Sequence, residues 1–107
     1  MPIVTLFPAD SAESDAAPRL ELELPLDAEG RVTDPGPHAA RRVAGALDER
    51  GECVTDAETG HFLRFPPGPD APVHGVFDAA SRFRPGDAVT LRRGNGAEET
   101  WRVVSVR

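Results

Sequence analysis

The sequence predicts a small α+β domain, mostly β: a small antiparallel sheet or partly open barrel of about six strands with one helix. Three observations predict it. Residues 20–24 read Leu-Glu-Leu-Glu-Leu, the period-two alternation of a half-buried strand. Ala40, Val43, Ala44 and Leu47 recur at helical spacing between Pro37 and Gly51. Eleven prolines and ten glycines among 107 residues interrupt long helices and favour turn-rich β architecture. Leu, Ile, Val and Phe together number only 24, so the core is compact and modest.

Taken in order, residues 1–8 carry the apolar run Ile3, Val4, Leu6 and Phe7, too short for a helix and long enough for an edge strand. A second reading is a tethered peptide that adds to a partner's sheet edge. Residues 9–18 have no large apolar side chain and read as a flexible acidic linker, which places the folded domain at residues 19–107. The alternating strand spans residues 19–26; residues 27–30 supply a turn and residues 31–33 a short return strand. Asp34 is placed to cap a helix over residues 37–50, with Pro37 in its first turn, Arg41, Arg42, Asp48 and Glu49 toward solvent, and Gly51 as C-terminal cap.

Strand signals resume at residues 52–55 and 61–65, joined by a turn through Asp56 and Gly60. A rigid proline loop follows at residues 66–72, then a strand over 73–77 and a loop over 78–87 with room for one helical turn. The strand at 88–93 and the final strand at 99–106 flank Gly94, Asn95 and Gly96, a tight hairpin signal. In the final strand, Trp101 and Val103 share one face while Val104 and Val106 share the other, the pattern of a central or barrel strand. The expected core is Leu20, Leu22, Leu24, Val43, Leu47, Val54, Phe62, Phe65, Val76, Phe77, Val89, Leu91, Trp101, Val103 and Val106.

Residues able to do chemistry are few. Cys53 is the single cysteine, so no intramolecular disulfide framework exists. Cys53, His61 and His74 fall on successive predicted strands, where convergence is geometrically open, but their spacing matches no compact zinc pattern. Asp56, Glu58 and Gly60 lack the carboxylate ladder and terminal bidentate glutamate of a calcium loop, and read as a hairpin turn. Ser11, Ser14, Ser81, Ser105, Cys53 and His61 form no nucleophile elbow or cysteine signature. Glu98 and Glu99 are adjacent and point to opposite faces of a strand, and Gly94 to Gly96 is too short to cradle phosphate. No catalytic, cofactor or metal site is expected. Pro66, Pro69 and Pro72 keep the three-residue spacing of a polyproline II ligand, although a stiff connector is the preferred reading.

Charge is more informative. Net charge is −6, and all twelve basic residues are arginine. Residues 1–60 hold 13 acids and 5 arginines, net −8, whereas residues 61–107 hold 5 acids and 7 arginines, net +2. The overall sign disfavours nucleic acid and anionic membrane surfaces, and one tryptophan with no tyrosine leaves little to stack on bases. No apolar run is long enough to span a bilayer, and the N-terminus lacks a secretory pattern, so a cytoplasmic protein is expected. Arg82, Arg84, Arg92, Arg93, Arg102 and Arg107 are expected to gather around the last hairpin and its preceding loop. They either offset glutamates across the sheet or offer a polar docking face.

Gly75, Val76, Phe77 and Asp78, then Arg84, Pro85, Gly86 and Asp87, then Val89, Thr90 and Leu91, and finally Trp101, Arg102, Val103 and Val104 form a pattern. It resembles the closing part of small head-tail joining proteins of tailed phages, over about a third of the chain. The resemblance implies a non-enzymatic ring subunit of a virion, whose terminus reaches a neighbour.

The leading functional expectation is a protein-protein binding or assembly module, open to homo-oligomerisation, that uses Ile3, Leu6, Phe7, Arg82, Arg84, Arg92 and Arg93. A small regulatory or inhibitory protein whose acidic half mimics an anionic partner is the main rival. A metal-dependent or hydrolytic enzyme built on Cys53, His61 and His74 is the third.

Overall fold

The computed structural model describes residues 1–11 and 17–107. Eight strands follow one another: β1 (Ile3–Pro8), β2 (Arg19–Glu23), β3 (His38–Ala44), β4 (Leu47–Asp56), β5 (Gly60–Arg64), β6 (Val73–Phe77), β7 (Ala88–Arg93) and β8 (Glu98–Val106). Consecutive strands pair antiparallel, and β1 also pairs with β8, which closes the sheet into a barrel. The expected α+β class with about six strands is corrected: among the described residues there are eight strands and no helix. Full closure satisfies every strand on both sides and leaves no exposed edge.

The expected helix over residues 37–50 is instead the β3–β4 hairpin. Ala44 and Leu47 are ladder partners, so only Gly45 and Ala46 form the turn. Gly45 has φ +59 while Ala46 does not have positive φ, which is the requirement of a type II′ turn with glycine first. The four charges assigned to a solvent-facing helix surface become cross-strand pairs. Arg41 grips Asp48 with two bonds of 2.8 and 2.6 Å, and Arg42 meets Glu49 at 2.6 Å. Alanine's helix preference is worth only tenths of a kcal/mol per residue, about 0.7 at most against ordinary residues, and the buried ladder outweighs it. Asp34 caps no helix; its carboxylate accepts the Gly36 N–H at 2.8 Å in a local turn.

Residues 3–6 pair with β2 and residues 4–8 with β8, so this segment belongs to the barrel itself. Of the expected linker, residues 12–16, Ser14 among them, lie outside the described residues. The short return strand at residues 31–33 reduces to one bridge between Leu26 and Val32.

Alternation sends Val4, Leu6, Leu20, Leu22, Leu24, Leu63, Phe77, Leu91 and Val103 fully inside, as expected of an eight-stranded barrel just wide enough for side chains to fill. A register shift between Thr5 and Leu6 explains the two apolar faces of β8. Leu6 lies opposite Val103 and Val4 opposite Val106, so residues of opposite parity both reach the core. Several expected core residues fall elsewhere: Leu47 is 43% exposed at the hairpin, and Val54, Phe62 and Val76 face outward because Cys53, Leu63 and Phe77 face in.

The two ends of the barrel differ. One is sealed by the β2–β3 and β6–β7 connections, which meet where the Phe83 N–H donates to the Gly30 carbonyl at 2.8 Å. Phe83 is 1% exposed and stands edge-on to Phe77 and His61, with ring centroids 5.7 and 5.4 Å away. At the other end, where β1, β3, β5 and β7 finish, the described residues leave the barrel open.

Candidate functional site

The open end forms a mouth of about 640 Å³. Inward parity places two ion pairs there, Arg42 with Glu49 from the β3–β4 hairpin and Arg93 with Glu99 from the β7–β8 hairpin, the latter at 3.2 Å. Glu99 also accepts the Trp101 indole N–H at 3.3 Å, using both carboxylate oxygens. The Arg42 guanidinium lies 5.5 Å from the Phe65 ring centroid, within cation–π range. His74 stands edge-on to the same ring at 5.4 Å.

On the outer wall, the ladder sets Val54, Phe62 and Val76 side by side across β4, β5 and β6, all half-buried, with Arg92 next in the row on β7. Arg64, two residues along β5, faces the same way. Neither Arg64 nor Arg92 forms an ion pair among the described residues.

The residues expected to bind a partner are dispersed. Leu6 and Phe7 are buried, while Ile3 remains 40% exposed beside Glu23. Arg82 and Arg84 lie on the connection that seals the closed end, and Arg84 pairs with Asp87 at 2.9 Å. Arg92 and Arg93 lie at the other end of β7 and alternate: Arg92 points outward and Arg93 into the mouth. No single arginine cluster forms.

Cys53, His61 and His74 do not converge. Cys53 and His61 face the sealed half of the barrel, whereas His74 belongs to the mouth. Among the described residues no group of three or more His, Cys, Asp or Glu side chains is placed to hold a metal ion. Burial, and then the nearby Glu52 charge, push the Cys53 thiol up to about 12, so it stays protonated at neutral pH. His38 donates from Nε2 to the Asp34 carbonyl at 3.0 Å. His61 Nδ1 shares a 2.9 Å bond with the Thr55 hydroxyl, and its buried Nε2 meets no partner among the described residues.

Burial lowers the pKa of His61, which Asp78 partly offsets. Burial and then the Arg93 and Arg42 charges bring His74 down to about 4. Below the ordinary histidine value of 6.5 the unfolded chain therefore takes up protons that the barrel refuses. Stability falls between pH 6.5 and about 4 on this account. Melting followed across that range is expected to fall less steeply in His74→Gln than in the parent; equal slopes would discount His74.

Sequence reasoning missed the mouth, although a signal existed. Arg42 and Glu49 sit at mirror positions about Gly45 and Ala46, an opposite-charge hairpin pair that the alanine spacing obscured. No family model, curated protein or solved structure matches the chain.

Proposed function

We propose that the chain is a non-enzymatic protein-binding and assembly module whose outer wall docks a second copy of itself. The observation that carries this reading is the outward row of Val54, Phe62 and Val76, bordered by Arg64 and Arg92, which form no ion pair among the described residues. Apolar surface rimmed by charge is a common form of protein contact, and arginine and phenylalanine are enriched at such interfaces. The acidic half supplies a complement on another copy, where exposed Ile3 lies beside Glu23. Such a contact joins two different patches, so it is heterologous. The likeness of parts of residues 75–104 to small head-tail joining proteins is in keeping with this reading.

The acidic-mimic reading has less to draw on, because Glu21, Asp48 and Glu49 are already held by Arg19, Arg41 and Arg42. Sedimentation over a range reaching millimolar protein is expected to show concentration-dependent association. Phe62→Glu should weaken it by about tenfold or more, the effect of losing a central apolar anchor. A monomer at every concentration, or association unchanged by that substitution, overturns the proposal.

A further inference from the structure

On the basis of the wall-to-patch contact proposed above, we infer that self-docking is open-ended: it builds a line of copies, and neither a closed dimer nor a small ring. Barrel closure fixes where the two surfaces lie. The wall of Val54, Phe62 and Val76 is centred on β5, while its complement, Ile3 beside Glu23, straddles β1 and β2. In the closed ring of eight strands β5 lies four strands from β1 and three from β2, close to half way round. The two surfaces therefore face nearly opposite ways. They also stand at similar height. Ile3 opens β1, Glu23 ends β2 and Phe62 lies two residues into β5, and all three of these strand ends belong to the sealed end.

Each surface joins apolar area to unspent charge. Ile3 is 40% exposed, and its neighbour Glu23 forms no ion pair among the described residues. On the wall, Arg64 and Arg92 have Glu52 and Glu98 as ladder partners but form no ion pair with them, and Glu52 instead accepts the Gly68 N–H at 2.6 Å. The charge asymmetry of the sequence is thus laid across the barrel. β1 and β2 come from residues 1–60, net −8, whereas Phe62 and all of β6 and β7 come from residues 61–107, net +2. Opposite charges on opposite sides favour head-to-tail approach.

Two copies cannot engage both surfaces at once when these face apart. A closed pair or a small ring needs them on neighbouring walls. Each contact here leaves a free wall at one end and a free complement at the other, and each end is competent to add a further copy. A heterologous contact that does not close grows without limit.

Sedimentation of the full chain up to millimolar protein tests this. The parent is expected to pass beyond dimer into a continuous series of larger species, its average mass rising steadily with concentration. Phe62→Glu spoils the wall and Glu23→Arg the complement, both at outward positions, and each alone should weaken association by about tenfold or more. Mixed in equal amounts, the two variants should recover a dimer and nothing larger, because each pair keeps one intact wall and one intact complement. A parent that stops at a dimer, or at one small ring of fixed size, overturns the open line while the docking reading stands. A mixture with no more dimer than either variant alone overturns the pairing of these two surfaces. A parent that stays monomeric at every concentration overturns the docking reading and the line with it. The parent's mass series needs no variant, so the line is testable even where a substitution lowers stability.

Discussion

Phe83→Ala is expected to cost about 3–5 kcal/mol of unfolding free energy, the range for truncating a buried phenylalanine. In a domain of this size that lowers Tm by about 12 °C or more. Total stability for such a domain is about 5–15 kcal/mol, so the variant approaches the threshold of folding. The reason is local. Phe83 closes one end of the barrel from a loop, at 1% exposure, and its ring edges meet Phe77 and His61. Removing it opens a cavity beneath a cover joined to the β2–β3 connection by the Phe83 to Gly30 hydrogen bond. Phe62→Ala is the comparison: the same truncation on the outer wall should cost markedly less in a denaturant melt. Equal losses would mean that Phe83 is not the plug of the closed end.

Gly60→Ala is expected to cost about 3 kcal/mol or more, because two penalties coincide at one residue: backbone strain at about 1–3 kcal/mol and overpacking at about 1–3 kcal/mol. Gly60 opens β5 with φ +131, a conformation that side chains rarely adopt. An added Cβ would also lie 2.1 Å from the Phe77 carbonyl oxygen on β6, which is backbone and cannot swing aside. Gly94→Ala is the control, since its φ is not positive and an added Cβ meets nothing within 4 Å. Thermal melts of the two should diverge by well over about 8 °C, taking the usual shift per kcal/mol. If they match, the close approach of β5 and β6 is looser than the structure shows.

Strands with one clean parity were legible before the fold was known. Leu20, Leu22 and Leu24 point inward as their alternation requires, and the Gly94 to Gly96 turn joins β7 to β8. Segments with apolar residues at both parities were not. In β5, Phe62 and Leu63 are adjacent and equally apolar, and only the pairing of Cys53 with Leu63 decides which one is inside. Phe83 had no periodic neighbours, so its burial follows from a loop folding over the end of a barrel, an event with no local signature. Residues 38–50 carried two compatible periods, and alanine fits both.

The candidate sites divide in the same way. Charge asymmetry pointed to the arginines of the second half, and it could not say which of them share a surface. Adjacent Arg92 and Arg93 were expected to act together, yet strand alternation sends one to the outer wall and the other to the mouth. Arg82 and Arg84 belong to the opposite end.

What the amino-acid order determined by itself is local: turn positions, the alternating leucine strand, a β-rich chain too broken by proline and glycine for a helical bundle. Closure of the barrel is a tertiary decision. Once β1 pairs with both β2 and β8, every intervening segment must supply a strand or a cap, and the weak helical preference of residues 37–50 yields to that demand. Closure also creates an inside, an outside and two unlike ends, and only that division turns scattered arginines and aromatics into a wall and a mouth.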